Sequence, residues 1–528
     1  MAATLSPRRR TAVLATMCLA LIAVVSSVSG LNVALNQLAV ELDASSSQML
    51  WVVNAYTLAL AALLLPIGEL GDRWGRRRVL TVGLVVFSVA NGLAAFAGGP
   101  GEMIAYRALG GLGAAMIMPA TLSIITAVFP EEERGRAVGT WAGFAGAGGV
   151  LGLFFSAIII DNVTWPWLFA LPVGMAVASL VLSAAFVPDS RNEHPAGFDV
   201  GGAVLSVIAV AGLVLGIHEG PEVGWTAAIT VVSLVAGVLG AVGFALWELR
   251  TGRDHDAGGR VEPMLDVRIF SNRALASGSL SLLLVFALMF GSFLVVIQYL
   301  QAVLGYSAVT AAAGLLPMAA AMMGLSPIAP RLSDRFGLGN QLGVGSLLMA
   351  AGFGVMAVAT SDPSYGAVLP GLVLTGLGVG LAMSPATTAI TGSLPAEKQG
   401  VASALNDTVR EFGSAVGVAL IGSVLTAGYS SGISDTAEQL PGELAEPVEE
   451  GIGQALAVAG QLGADGEPIA AAARDAFLDG WGLSMTVATV VAVLAGGLAW
   501  AIFRSGPTTP VVVDDAESVE DGQELVSV

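Results

Sequence analysis

Uncharged runs of about 18 residues or more recur along the whole chain, and each is long enough to cross a bilayer as one helix. The longest run, 274–330, is too long for one crossing, so we predict two helices there with a turn near 305–307. This division gives 14 predicted helices along the chain. Only 12% of the residues are charged and 55% are hydrophobic, a balance more apolar than a soluble fold of 528 residues needs. The sequence therefore predicts an all-α polytopic membrane protein.

Positive charge is distributed unevenly between the two sides of the predicted membrane. With the amino terminus inside and 14 crossings, 19 of the 22 Lys and Arg residues fall in cytoplasmic segments, as the positive-inside rule requires. The exceptions are Arg107 and Arg410, which lie within helices, and Arg474, which lies outside. The sequence thus predicts a multi-pass protein of the cell membrane with both termini in the cytoplasm. Its Arg-rich, Lys-poor composition indicates a bacterial source.

Short sequence matches recur at a nearly constant distance, which indicates two related halves. LSDRFG at 332–337 resembles the centre of GELGDRWGRRRVL at 68–80, and PAT at 119–121 returns at 385–387. Duplicated halves in lipid are typical of secondary transporters, whose substrate site lies near the bilayer midplane between the halves. The predicted parts are an N-terminal six-helix bundle (1–190), an inserted pair of helices 7 and 8 (191–250), a cytoplasmic linker (251–273), a C-terminal six-helix bundle (274–503) with an external loop (428–479), and an acidic cytoplasmic tail (504–528).

Several function classes are disfavoured by the composition. The net charge of −18 comes largely from the external loop and the tail, which we interpret as solubilising segments, and no nucleic-acid partner is expected. A lone Cys18 and three His residues without ligand spacing predict neither a disulfide nor a metal site. The sequence has no phosphate-binding Gly loop followed by Lys and Ser or Thr, so neither a nucleotide nor another cofactor is expected. The pattern favours a transporter over an enzyme.

Five segments resemble the major facilitator superfamily and, within it, the 14-helix drug:proton antiporter branch of multidrug exporters. They are WVVNAYTLALAALLLPIG (51–68), GELGDRWGRRRVL (68–80), YRALGGLGAAMIMPATLSII (106–125), QYLQAVLGYS (298–307) and GVASALNDTVREFGSAVGVALIGSVL (400–425). The resemblance implies two six-helix bundles plus two inserted helices, which expose a shared site to each side in turn. It also implies export of amphipathic small molecules, including antibiotics, driven by a proton gradient. We expect the chain to function as a monomer in the lipid bilayer.

The chain departs from the family pattern at positions tied to proton coupling. Ser27 stands in helix 1 where members commonly carry an acidic residue, and Gly110 stands in helix 4 where Gln is usual. The coupling proton is therefore expected to use a carboxylate outside helix 1.

The resemblance assigns a conformational role to the two copies of the loop motif, named here the first latch segment (68–76) and the second latch segment (332–337). Such a latch bridges neighbouring helices in the outward-facing state. Its candidate residues are Gly68, Asp72, Arg73, Gly75 and Arg76 in the first segment, and Asp334 and Arg335 in the second. The alternative interpretation is a basic loop that only fixes the orientation of the chain.

Arg107 lies within predicted helix 4, about 7 Å from the outer end at 1.5 Å per residue. An Arg inside a membrane helix is costly, so it should face the protein interior and meet a partner. The corresponding Arg of the family is tied to proton coupling, which makes Arg107 a candidate for that role. The alternative is that its side chain extends to the outer headgroups.

Predicted helix 13 carries Asp407, Arg410 and Glu411 at helical spacing, with Ser403 and Ser414 on the same face. Two carboxyl groups beside one guanidinium in a low dielectric favour a proton on one of the acids. Asp407 and Glu411, assisted by Arg410, are therefore the preferred proton carriers. The alternative is a neutral packing network in which Arg410 pairs with Glu411 and Asp407 bonds to backbone.

Neutral polar and aromatic side chains interrupt other apolar helices and are candidates for lining the substrate cavity. They are Asn32, Asn54, Tyr56, Gln298, Tyr299 and Gln301. The alternative is that they join helices to one another. The sequence as a whole predicts a proton-coupled exporter of amphipathic small molecules. Two other hypotheses are a dedicated exporter or facilitator of an endogenous metabolite, with or without proton coupling, and a non-transporting membrane sensor or scaffold.

Overall fold

The computed structural model describes residues 5–31, 34–189, 197–360 and 363–504. Within these ranges, 14 helices are long and apolar enough to cross a membrane, which confirms the predicted count. In lipid a helix satisfies its own backbone N–H and C=O groups, which is why such runs fold as helices. The helices are α1 (Pro7–Leu31), α2 (Ser46–Trp74), α3 (Arg76–Ala94), α4 (Pro100–Val128), α5 (Glu131–Asn162), α6 (Ala170–Phe186), α7 (Val200–Val223), α8 (Ala228–Asp256), α9 (Arg273–Gln298), α10 (Ala308–Leu325), α11 (Leu338–Ala357), α12 (Tyr365–Thr391), α13 (Gln399–Ala437) and α14 (Glu467–Arg504).

The two latch segments have matching backbone conformations at one glycine each. Gly75 separates α2 from α3 with a φ of 103°, and Gly337 separates a short helix (Ala329–Phe336) from α11 with a φ of 85°. Both values lie in the region that glycine adopts without a Cβ penalty, so the chain passes directly from one helix to the next. The repeat in the sequence is therefore also a repeat of backbone structure.

The long run at 274–330 divides where the sequence predicted. A π turn at Tyr299–Val303 ends α9, Gly305 has a φ of 69°, and Ser307 begins α10 by accepting the Thr310 N–H at 3.2 Å. The glycine and the capping serine together explain why one uninterrupted apolar run makes two crossings.

Glycines bring helices of the same half into backbone contact. A Cβ on Gly113 of α4 would lie 2.7 Å from the Phe87 nitrogen of α3, and a Cβ on Gly376 of α12 would overlap the Met318 carbonyl of α10. In membranes, close packing of small residues takes over part of the role that the hydrophobic effect has in water. This packing accounts for much of the unusual glycine content of 68 residues.

Helices α7 and α8 pack against each other and lie beside the two six-helix bundles. A Cβ on Gly212 of α7 would lie 2.5 Å from the Gly237 nitrogen of α8. α7 also contacts α2 and α13, one helix from each half. The outer face of α8 exposes apolar side chains such as Val232 and Leu239, as a lipid-facing helix should.

Residues 428–479, predicted as an external loop, are largely helical. The segment comprises the end of α13, two short helices (Gly442–Glu450 and Ile452–Leu462) and the start of α14. The Tyr429 hydroxyl donates to the Val448 carbonyl at 2.9 Å, and Val448 is fully buried. Apolar residues at helical spacing give these helices a face to bury, a pattern that the acidic composition concealed. The predicted acidic tail lies almost entirely outside the described residues.

Candidate transport and coupling sites

Asp72, at the cytoplasmic end of α2, caps the first turn of α13 in the other half. Both carboxylate oxygens accept the Gly400 N–H at 2.8 Å, and one also accepts the Val401 N–H at 3.2 Å. The first N–H groups of a helix lack partners within the helix and carry partial positive charge, so a carboxylate there is favoured. The first latch segment therefore binds the helix that carries Asp407 and Glu411.

Arg76 completes this connection. Its guanidinium donates to Asp72 Oδ1 at 2.9 and 3.1 Å and to the Ala396 carbonyl at 2.9 Å. Asp72 and Arg76 are both almost fully buried, so their ion pair is little screened by water. One Asp–Arg pair in the N-terminal half thus holds both the backbone before α13 and its first turn.

Small residues bring the two halves together on the cytoplasmic side at two places. A Cβ on Gly68 would lie 2.6 Å from the Gly400 carbonyl oxygen. Just beyond α10, the Ser326 hydroxyl donates to the Gly139 carbonyl of α5 at 2.8 Å, and a Cβ on Gly135 of α5 would lie 3.0 Å from Pro330. These contacts join α2 to α13 and α5 to the segment after α10, so the structure is closed on its cytoplasmic side.

The second latch segment makes no comparable connection. Asp334 and Arg335 are exposed, and the Arg335 guanidinium lies 5.4 Å from the ring of its neighbour Phe336. Leu338 occupies the position that corresponds to Arg76, and residues 131–133 at the start of α5 are all Glu. Three acidic side chains already occupy that helix terminus, so another carboxylate would be repelled. In the described residues, only the first copy of the motif bridges the halves.

Arg73 and Glu69 connect the first latch segment to the inserted helices. Arg73 pairs with Glu69 at 2.7 Å, donates to the Gly197 carbonyl at 2.7 Å, and lies 5.3 Å from the Phe198 ring. Gly197 and Phe198 immediately precede α7, so α7 is attached to the same segment that closes the two halves.

Arg107 is buried within the N-terminal half, with 2% of its surface exposed. It donates to the Val52 carbonyl and to the backbone and hydroxyl oxygens of Ser27, each at 3.2 Å, and lies 4.3 Å from the Tyr56 ring. Ser27 in turn donates to Asn91 at 2.9 Å. The side chain therefore points into the protein and does not extend to the headgroups.

Arg107 has no carboxylate partner within the described part of the chain. Ser27 stands in helix 1 where the family commonly has an acid, and its hydroxyl contacts the guanidinium directly. The departure seen in the sequence thus leaves a buried cation held by neutral groups and an aromatic face.

Asp407 and Arg410 form a buried ion pair on α13 at 2.9 Å. Asp407 Oδ1 also accepts from Asn406 at 3.1 Å, whereas Oδ2 is buried without a hydrogen-bond partner. The Arg410 guanidinium lies 5.3 Å from the Trp141 ring of α5 and 4.7 Å from the Phe286 ring of α9. Because α5 and α9 belong to different halves, Arg410 lies where the bundles meet.

Glu411 is half-buried and forms neither an ion pair nor a hydrogen bond with any described residue. It lies close enough to Tyr56 of α2 for its charge to act on the phenol, as the charge of Arg107 does. Tyr56 is therefore near both Arg107 and Glu411. The observed ion pair joins Arg410 to Asp407, whereas the neutral-network alternative pairs Arg410 with Glu411.

The substrate-cavity candidates fall into different environments. Tyr56 is buried and donates to the Val24 carbonyl at 3.3 Å, and Tyr299 is buried against Trp481 with ring centroids 4.4 Å apart. Asn54 and Gln298 are half-buried, and Gln301 is exposed at the outer end of α9. The remaining candidate, Asn32, lies outside the described residues.

Sequence reasoning missed the aromatic pair around Arg410 and the partners of Arg107. Trp141 is buried and donates to Thr121 at 3.0 Å, so it is an interior residue of α5. The sequence placed Trp141 near a helix end, where interfacial Trp residues lie, but α5 begins at Glu131 and puts Trp141 ten residues inside the helix.

Two halves of six helices, related by a sequence repeat, meet through small residues and enclose buried charges. This architecture defines the class of secondary transporters that work by alternating access. The model of the Major Facilitator Superfamily matches residues 17–201 and 196–418, and the chain belongs to this superfamily as a multi-pass protein of the cell membrane.

Known relatives match along most of the chain. The multidrug efflux pump LfrA of Mycolicibacterium smegmatis is 32% identical over 503 residues, which are 95% of this chain and 98% of LfrA. The tetracenomycin C resistance and export protein of Streptomyces glaucescens is 31% identical over 88% of this chain and 87% of its own length. The methyl viologen resistance protein SmvA of Salmonella typhimurium is 31% identical over 88% and 92%.

Solved structures agree on the fold. A bacterial homologue of the human lysosomal transporter Spinster matches with a TM-score of 0.58 and 16% identity, over 94% of this chain and 98% of the other. The proton:xylose symporter XylE matches with a TM-score of 0.58 and 16% identity, over 94% and 96%. At 16% identity these matches show the fold alone.

Proposed function

We propose that this protein exports amphipathic small molecules from the cytoplasm in exchange for protons. The names of its relatives, which describe multidrug efflux, tetracenomycin C export and methyl viologen resistance, support the direction and the substrate class. The observation that carries the coupling is the position of two α13 acids where the halves meet. Asp407 has one buried oxygen without a partner, and Glu411 has no ion-pair partner among the described residues.

Protonation of Asp407 is the step that links proton entry to movement. The charged carboxylate holds Arg410 at 2.9 Å, with the guanidinium between Trp141 of one half and Phe286 of the other. A proton on Asp407 removes its charge and lets Arg410 turn towards Glu411. Because the two rings belong to different halves, this shift changes the contact between the bundles.

The first latch segment sets the cytoplasmic barrier. Opening towards the cytoplasm requires Asp72 to leave the Gly400 and Val401 N–H groups and requires Arg76 to leave Ala396. The released N–H groups then need water or another acceptor. The closed state therefore has the lower free energy until binding of substrate or proton offsets this cost. Substrate loading from the cytoplasm and proton release to it follow this opening.

Substrates are recognised by aromatic faces and adaptable neutral groups, for which Asn54, Tyr56, Gln298 and Tyr299 are the candidates. Gln301, at the outer end of α9, lies on the exit side. One inward proton supplies about 2.3 kcal/mol for each 100 mV of membrane potential, in addition to the pH term, so export needs no nucleotide or other cofactor. The protein works as a monomer in the lipid bilayer.

Transport in proteoliposomes with an imposed pH gradient tests this function. We expect Asp407→Asn or Glu411→Gln to abolish gradient-driven movement of a lipophilic cationic dye, while the exposed Asp334→Asn variant transports normally. Unchanged gradient-driven transport in both α13 variants would overturn the proposed coupling.

The other two hypotheses give different results in the same preparation. A dedicated metabolite facilitator moves its solute without a gradient and releases no proton when substrate is added. A sensor or scaffold moves no solute under either condition. A drug-susceptibility panel in cells expressing the chain, with and without a protonophore, then identifies the substrates.

A further inference from the structure

Two buried carboxylates meet on the cytoplasmic side, away from α13. Asp199 caps the start of α7 and is 1% exposed, and Glu248 lies near the cytoplasmic end of α8 and is fully buried. Asp199 Oδ1 accepts the Gly202 N–H and the Trp247 indole N–H, each at 2.8 Å. Glu248 Oε2 accepts the Leu265 N–H at 3.4 Å.

The second oxygen of each acid has no hydrogen-bond partner and lies beside Gly202. Asp199 Oδ2 and Glu248 Oε1 are both buried and unpartnered. A Cβ on Gly202 would lie 2.6 Å from Asp199 Oδ2 and closer still to Glu248 Oε1. Both oxygens therefore converge on the same point beside Gly202, which leaves them room because it has no side chain.

The surrounding cations are engaged elsewhere in the described structure. Arg73 pairs with Glu69, the third acid near this site, and Lys398 pairs with Glu262 at 2.7 Å and donates to the Pro263 carbonyl. Arg268, near the end of α8, pairs with Asp256 and Asp266. Lys398 and Glu69 act on Glu248 only at longer range. Two buried carboxylates that approach one point, with no cation partner among the described residues, cannot both be ionised.

We propose that Asp199 and Glu248 share one proton and form a cytoplasmic proton-binding site distinct from the α13 acids. The proton lies between Asp199 Oδ2 and Glu248 Oε1, so that one carboxyl donates a hydrogen bond to the other.

The site is connected both to the first latch segment and to the residues just before α13, which that segment caps. Arg73, one residue after Asp72, binds the Gly197 carbonyl two residues before Asp199. Lys398, two residues before Gly400, binds the linker residues Glu262 and Pro263, and the linker reaches Glu248 through Leu265. Loss of the shared proton leaves a negative charge on both Asp199 and Glu248, and their repulsion pushes the start of α7 away from α8. The inserted helices thereby favour the cytoplasm-closed state at acidic cytoplasmic pH and its opening at alkaline pH, which limits proton entry into an already acidic cell.

Infrared spectroscopy of the purified full-length protein tests the shared proton without any transport assay. We expect a protonated-carboxyl band at neutral pH in the wild type and in the control Glu262→Gln. The band should be lost in Glu248→Gln, whose amide can donate to Asp199 in place of the proton, and lost or displaced in Asp199→Asn. A wild-type spectrum without such a band, or an unchanged band in both variants, would overturn the proposal.

Spin-label distances test the connection to the first latch segment. Labels at Trp74→Cys and Glu397→Cys, in a Cys18→Ala background, report closure on the cytoplasmic side. We expect the wild type and Asp334→Asn to shift from short to long distances as pH rises, and Glu248→Gln to keep the short distance throughout. A full shift in Glu248→Gln, or a shift lost equally in Asp334→Asn, would contradict the connection. Because Glu248 has no part in the proposed export mechanism, failure of this site leaves the proposed export function standing.

Discussion

The carboxylate of Asp72 accepts the backbone N–H of Gly400 at 2.8 Å, although the two residues belong to different halves of the chain. Gly400 is the second residue of α13, so a side chain from the N-terminal half supplies the cap that this helix lacks in its own half. The same helix carries Asp407, Arg410 and Glu411 further along. A single contact thus connects closure of the cytoplasmic side to the helix that holds the candidate proton carriers.

Asp72→Asn should shift the protein towards the cytoplasm-open state and abolish transport at near-normal expression. A carboxylate at a helix N-terminus contributes about 1–2 kcal/mol, so the closed fraction should fall by about 5- to 30-fold relative to the open one. Spin-label distances between positions 74 and 397 measure this shift. The matched control is Asp334→Asn, where the exposed acid has no partner among the described residues. Wild-type distances and transport in Asp72→Asn would refute the role of the cap.

Gly400→Ala should disrupt the same contact from the other side. The new Cβ would lie 2.8 Å from the Asp72 carboxylate and would overlap the Gly68 carbonyl. We expect weaker closure and slower dye export. Gly422→Ala in the same helix is the control, because nothing lies within 4 Å of the added Cβ and the change favours helix by about 0.5–1 kcal/mol. Equal behaviour of the two variants would argue against tight packing at Gly400.

Ser27→Ala should destabilise the N-terminal half by leaving Arg107 and Asn91 short of partners. Buried donors and acceptors that lose a partner cost about 1–3 kcal/mol, so thermal unfolding in detergent should occur at a lower temperature. Ser26→Ala is the control, since Ser26 donates only to Ala23 of its own helix. An equal decrease in both variants would mean that the Ser27–Arg107 contact contributes nothing specific.

Trp141→Leu should loosen the hold on Arg410, whereas Trp141→Phe should keep most of it. The ring lies 5.3 Å from the guanidinium, and such cation–π contacts contribute about 0.5–2 kcal/mol. We expect Trp141→Leu to lower pH-gradient-driven transport more than transport driven by a substrate gradient alone. A uniform loss in both assays would point to general misfolding and contradict a coupling role.

Much of the fold could be predicted because charge is so rare in this chain. Uncharged runs predicted the 14 helices, and the repeat that relates 68–80 to 332–337 predicted the division into two halves. The Asp407–Arg410 pair also follows from spacing, because residues three apart share a helix face. By contrast, the short helices within 428–479 could not be predicted, because the acidic composition conceals the helical spacing of their apolar residues.

The connections between distant segments could not be predicted from local patterns. Asp199 and Glu248 meet only because α7 and α8 pack antiparallel through glycines, and neither acid belongs to a motif. The difference between the latch segments likewise depends on tertiary context. The acid of the first segment meets free amides of α13, whereas the second segment lies near a helix terminus rich in Glu. No property of the LSDRFG segment itself reveals that difference.

Reversible cross-linking of the cytoplasmic side tests the central claim of alternating access most directly. Cysteines at positions 74 and 397 in the Cys18→Ala background, joined by a cleavable thiol-specific reagent, should stop proton-driven dye export in proteoliposomes. Cleavage of the reagent should restore export, and the single-cysteine proteins should transport throughout. Undiminished export by the cross-linked protein would contradict the claim that the two halves must separate on this side in every cycle.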